Sequence, residues 1–211
     1  MGVVPEVARV RTRSGNHVAV GIYRHGPRGD ASTSARPKVL LYSHGNAVEL
    51  GSLHSVAALL AQECGCTVVT YDYSGYGEST GSPSELETYR DIDAVYEYVK
   101  STGLVDDPAR DLVLVGESIG SGPAIWLSSR RAVAGVILQA AIASGLRVLT
   151  ENRLLCGCDI FPNIDRIARV TCPVFVIHGT EDRNVRLDHG QRLHARLHGA
   201  AARYPPWWVE G

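Results

Sequence analysis

No run of roughly 18 apolar residues occurs in the 211-residue chain, so nothing in it reads as a membrane span. The opening Met1-Gly2-Val3-Val4-Pro5-Glu6 lacks the apolar centre of a signal peptide and the Ser or Thr of a myristoylation site. Charge of one sign is missing too. The net charge is -1 and no basic run exceeds the Arg130-Arg131 pair, which argues against a nucleic-acid partner. Metal-ligand spacing is also absent. The five cysteines stand at 64, 66, 156, 158 and 172, two pairs are spaced C-x-C, and a bridge within either pair is strained. An odd count in this arrangement reads as reduced, small apolar side chains of a cytoplasmic protein, with no metal and no other cofactor.

What remains is an ordinary globular composition, 45% hydrophobic and 20% charged, which suffices to bury a core without staples and to form a single domain, 1–211. A strand over 17–24 follows the turn Ser14-Gly15-Asn16, which predicts an N-terminal antiparallel hairpin. The stretch 26–37, rich in Gly, Pro, Ser and Arg, reads as a loop. From Lys38 the pattern changes. Short β-rich runs at 39–42, 67–71, 112–115, 133–138 and 174–177 alternate with helical runs at 52–63, 85–100, 119–130 and 188–197. Such alternation predicts an α/β fold with a mostly parallel, doubly wound sheet, whose chemistry collects in the loops after the strands.

One of those loops reads Gly116-Glu117-Ser118-Ile119-Gly120, between a strand and a helix. The spacing G-x-S-x-G has a physical cause: the serine sits in a strained turn, and the flanking glycines let strand and helix backbones pass closely. The turn exposes the Ser118 hydroxyl as a nucleophile and sets the Ile119 N–H beside a developing oxyanion. A second donor is expected after an earlier strand, where His44-Gly45-Asn46-Ala47 offers the Asn46 N–H. His44 lies on the wrong loop for a general base and reads as a brace. The loop after the next strand, Tyr71 to Ser79, has neither the helix nor the Lys-Ser/Thr pair of a phosphate cradle.

Triad logic asks for an acid after a later strand and a histidine beyond it. Asp182, in His178-Gly179-Thr180-Glu181-Asp182, is the candidate acid, with Glu181 second. His189, His194 and His198 fall within or just beyond the helix at 188–197, which is expected on the outside of the sheet. The productive histidine should follow a last strand at 207–209, so the base and the closing helix are expected to be absent from these 211 residues.

Longer strings now carry a resemblance: S-H-G-N-A-V-E-L-G from Ser43, Y-D-Y-S-G-Y-G-E-S-T-G-S-P-S-E from Tyr71, G-E-S-I-G-S-G-P from Gly116, F-P-N-I-D from Phe161, C-P-V-F-V-I-H-G-T-E-D from Cys172 and P-P-W-W-V-E-G from Pro205. Together they resemble the α/β-hydrolase domain-containing protein 17 family, whose members remove palmitoyl groups from protein cysteines. The resemblance implies an α/β-hydrolase fold, Ser118 as nucleophile, Asp182 as acid, and Asn46 with Ile119 as oxyanion donors. It places the family's histidine after a Gly-Ala-Gly string of which Gly211 is the first residue. It also implies a lipidated, cysteine-rich N-terminal segment, missing here, through which the full-length protein attaches peripherally to membranes. The chain departs from the family at Gln139-Ala140-Ala141, where His-Ser-Pro is usual.

The resulting expectation is a serine hydrolase for S-acylated proteins or small acyl esters. The segment 141–167 would act as a cap-like insertion whose Leu146, Val148, Leu154 and Leu155 suit an acyl chain. A serine peptidase of the same fold and a catalytically incomplete acyl-binding protein stand as alternatives.

Overall fold

A computed structural model describes residues 4–24, 39–145 and 160–210. The expected loop 26–37, Cys156, Cys158, Gly211 and the cap residues Leu146, Val148, Leu154 and Leu155 lie outside the described residues. The strands are β1 (Glu6–Arg11), β2 (His17–Tyr23), β3 (Val39–Ser43), β4 (Thr67–Tyr71), β5 (Leu112–Glu117), β6 (Gly135–Gln139), β7 (Val174–Gly179) and β8 (Trp207–Val209). They form one sheet in the order β1-β2-β4-β3-β5-β6-β7-β8. The helices are α1 (Leu50–Cys64), α2 (Glu85–Ser101), α3 (Pro108–Asp111), α4 (Ser121–Ser128), α5 (Asn163–Arg166) and α6 (Leu187–His194). The chain divides into two units, Met1–Tyr42 with Val48–Val113, and Ser43–Ala47 with Leu114–Gly211.

In the first unit the N-terminal hairpin forms as the Ser14-Gly15-Asn16 turn predicts. The Thr12 N–H bonds the Asn16 carbonyl at 2.8 Å, and Gly15 supplies the left-handed residue at φ 87°. β1 pairs antiparallel with β2, β2 antiparallel with β4, and β3 parallel with β4. β4 (TVVTY) is buried along its whole length, the signature of a strand covered on both faces. α1 buries Leu53, Ala57 and Ala61 at i, i+4 and i+8, packs on β2 and β4, and ends where Gly65 adopts φ 62°. α2 starts at Ser84, whose side chain accepts the Glu87 N–H, and buries Ile92, Val95, Tyr96 and Val99. Each such aliphatic side chain contributes about 1.5–3 kcal/mol when fully buried.

In the second unit β6, β7 and β8 run parallel, with Val136 opposite Val174 and Ile177 opposite Trp207. α4 packs on β6 and α5, and α6 packs on β7. The largest departures from the periodicity are at two helices. The expected helix 119–130 is a 3₁₀ turn over Ser118–Gly120 followed by α4, because the left-handed Ser118 cannot lead directly into α-helical geometry. α6 stops at His194, where Arg196 and Leu197 tighten into i→i+3 bonds to Leu193 and His194. Among the described residues no helix is long and apolar enough to cross a membrane. Nor is there among them a group of three or more His, Cys, Asp or Glu that could hold a metal ion.

Candidate active site

The last residues of β5 lead into Ser118, which has φ 52° and is half-buried. An L-residue there costs about 1–2 kcal/mol, which the surroundings must enforce. They do so through close backbone contact. A Cβ on Gly116 would stand 2.8 Å from the Gly120 carbonyl and 2.8 Å from the Ser121 Cα, so this glycine lets strand and helix pass. A Cβ on Gly120 would meet the Ser43 carbonyl at 2.1 Å and the His44 carbonyl at 2.7 Å. The second glycine of the motif therefore admits the backbone that leads into Gly45 and Asn46.

That loop lies against Ser118. A Cβ on Gly45 would sit 3.8 Å from the Ser118 Cβ. His44 is fully buried and its Nδ1 lies 2.8 Å from the Gly45 carbonyl, the bracing role expected of it. Asn46 is exposed and Ala47 turns left-handed at φ 55°, which reverses the chain just after the expected oxyanion donor. Ser118, Ile119, Gly45 and Asn46 are thus brought together at the turn between β5 and α4.

Asp182 follows β7, two strands from β5 in the sheet order. Its Oδ1 accepts the N–H groups of Asn184 and Val185, both at 2.9 Å, and the Asp182 side chain is 20% exposed. Its second oxygen stands 3.7 Å from the His178 Nε2. It does not cap α6, whose N-cap is Arg186. Glu181 is exposed.

The downstream histidines do not all face outward as the helical periodicity suggests. His198 is exposed, but His189 is 3% exposed and its Nδ1 accepts the Ala143 N–H at 3.0 Å. α6 turns this face inward because Gly190 beside it allows close approach: a Cβ there would lie 2.7 Å from the His178 Nδ1. His194 packs edge-on against Trp208, with ring centroids 6.4 Å apart. Among the described residues no histidine hydrogen-bonds the Ser118 hydroxyl.

Three polar residues to which the motifs assign no role hold this region. His178, with its side chain fully buried, lies with Nε2 2.7 Å from the Val185 carbonyl and so ties down the loop that carries Asp182. Ser121 and Asn163, both fully buried, bond to one another at 3.3 Å beside the elbow. A buried asparagine requires partners, and Asn163 finds them in Ser121 and Ile142. The Phe161 ring explains Gly122, where a Cβ would come within 2.2 Å of it.

The chain belongs to the alpha/beta hydrolase family, whose model matches residues 39–156. Within that family it groups with the alpha/beta hydrolase domain-containing proteins 17. It is 44% identical over 173 residues to protein 17C of Mus musculus, covering 82% of this chain and 52% of that one. It is 40% identical over 207 residues to alpha/beta hydrolase domain-containing protein aho-3 of Caenorhabditis elegans, covering 98% of this chain and 59% of the relative. The chain therefore spans a little over half the length of these curated relatives. The fold matches the Pyrococcus furiosus esterase Pf2001 with a TM-score of 0.73 at 16% identity, over 99% of this chain and 82% of the esterase.

Proposed function

We propose that the full-length protein is a serine hydrolase that cleaves acyl thioesters of S-palmitoylated proteins, or related carboxylic esters, through a Ser-His-Asp triad. The observation that carries this reading is the left-handed Ser118 at the end of β5, with the 44–47 loop packed against it. Ser118 Oγ attacks the acyl carbonyl while an imidazole takes its proton. The oxyanion rests on the N–H groups of Asn46 and Ile119. The acyl–sulfur (or acyl–oxygen) bond then breaks, and the departing thiol or alcohol takes the proton from the imidazole. Water releases the fatty acid from the acyl-enzyme while Asp182 orients the imidazole. None of the described histidines fills that role, so the reading assigns the base to sequence following β8 in the full-length protein. Membrane attachment through an N-terminal lipidated segment belongs to the same proposal.

The test is fluorophosphonate labelling and palmitoyl-thioester turnover by the full-length protein. Labelling at Ser118 is expected, and Ser118→Ala should lower kcat by about 10⁴–10⁶-fold. Turnover that survives this substitution sinks the reading. Tight acyl binding without labelling would replace it with a binding protein, and cleavage of peptide amides in preference to thioesters would make it a peptidase.

A further inference from the structure

We propose that Ser121 and Asn163 are positioning residues that aim the Ile119 N–H, an inference that rests on the hydrolase reading above. The Ser121 hydroxyl donates to the Ser118 carbonyl at 2.6 Å. It also receives two donors, the Ile142 N–H at 3.2 Å and the Asn163 Nδ2 at 3.3 Å. A hydroxyl has one proton and two lone pairs. With both lone pairs occupied by N–H groups, its single proton has one place to go, the Ser118 oxygen.

Asn163 enforces that direction. Its Nδ2 also donates to the Ile142 carbonyl at 2.9 Å, and only the amino side of the amide can meet an acceptor there. Ser121 and Asn163 are both 0% exposed, so no water competes for these contacts. The backbone carries the effect to the chemistry. The peptide joining Ser118 to Ile119 is rigid and trans, and its carbonyl and N–H point in opposite directions. Fixing the Ser118 carbonyl on Ser121 fixes the Ile119 N–H on the other side of the same plane, toward the proposed oxyanion. The left-handed Ser118 makes such a clamp necessary, because an unclamped peptide would relax toward ordinary φ.

Asn163→Asp is close to isosteric and inverts the polarity. A carboxylate draws the Ser121 hydroxyl proton to itself and leaves the Ser118 carbonyl with only the Ser121 N–H. The experiment measures kcat and KM of the full-length protein on p-nitrophenyl octanoate, per site titrated with a fluorophosphonate for Ser121→Ala, Ser121→Thr and Asn163→Asp, and per mole of protein for Ser118→Ala, which has no site to titrate. Ser121→Ala and Asn163→Asp are expected to lower kcat per titrated site by about 10–100-fold with KM within about twofold. Ser121→Thr, which keeps the hydroxyl, should return most of it. A merely structural role would reduce the number of titratable sites and leave kcat per site unchanged, and that result overturns the proposal. If Ser121→Ala does not fold, Ser121→Cys, a poorer donor of similar shape, carries the same comparison, and wild-type kcat per site there also overturns it. Turnover that persists in Ser118→Ala removes the hydrolase reading itself, whereas a dead Ser118→Ala beside fully active Ser121 and Asn163 variants removes only this inference.

Discussion

Among the described residues, the left-handed backbone positions of the first unit are Gly15, Gly65, Gly75, Gly77, Gly81 and Gly103, while in the second they fall on Ala47, Ser118, Ala140 and Phe161, with Gly199 as the one glycine. Glycine takes that conformation without steric cost, whereas an L-residue is strained by about 1–2 kcal/mol. The first unit turns its chain with residues made for turning. The second stores strain, and the strained residues are Ser118 itself, Ala47 just past the expected oxyanion donor, Ala140 after β6, and Phe161 against Gly122. Strain of this kind persists only where neighbours over-determine it, which is what Gly120 on the Ser43 carbonyl and the Ser121–Asn163 pair do.

The units also brace their loops with different chemistry. In the first, Asp91 is fully buried and accepts both the N–H and the hydroxyl of Ser74, each at 2.7 Å, and Asp72 accepts the Leu50 N–H at 2.8 Å. Burial pushes both carboxyls up to about 6, against the hydrogen bonds that favour their charged forms. Asp72, Arg9, Glu49, Leu50, Gly77 and Glu78 line an open cavity of about 550 Å³ that belongs wholly to this unit. In the second unit the buried braces are a hydroxyl, an amide and the imidazoles of His44, His178 and His189.

The contrast can be broken most forcefully at Gly77. A Cβ there would lie 2.1 Å from the Asp72 Oδ2 at φ 47°, so Gly77→Ala should destabilise by about 3 kcal/mol or more, read from the urea midpoint. Asp91→Ala leaves two Ser74 groups without their acceptor and should cost about 2–3 kcal/mol in the same assay. The charged bracing has a pH signature. The ordinary carboxyl value for Asp72 and Asp91 is 3.8 and the folded value about 6, so the unfolded chain releases protons first as pH rises. Their stabilising contribution is therefore complete below about pH 4 and is lost between about 4 and 6. Asp72→Asn with Asp91→Asn should remove that part of the slope, and an unchanged pH profile would contradict the assignment. The smallest effect concerns strain: Ala47→Gly or Ala140→Gly should raise stability by about 0.5 kcal/mol, the relief of φ exceeding the entropy of glycine. A loss of stability instead would show that those positions are not strained.

The strands were legible because buried β-rich runs such as 67–71 and 174–177 have no competing periodicity, and the elbow because its glycines are demanded by contacts at 2.8 Å and 2.1 Å. The inward face of α6 was not legible. His189 looks like an exposed helical polar residue until Gly190 is seen to admit His178 behind it. Asn163 was hidden for a related reason: its partners, Ser121 and Ile142, lie 42 and 21 residues away, and nothing local announces contacts at that range. The His178 tie to Val185 was equally invisible, because an imidazole at the end of a buried strand has no periodic signature.

Gly145 donates its N–H to the Ile160 carbonyl at 2.7 Å, and a Cβ on Gly145 would stand only 2.5 Å from the Ile160 side chain. Gly145 and Ile160 are thus held side by side. Doubling the length of a segment whose ends are already held together adds only about 0.6 kcal/mol of closure entropy. Added length between Gly145 and Ile160 therefore meets a closure that this hydrogen bond already makes.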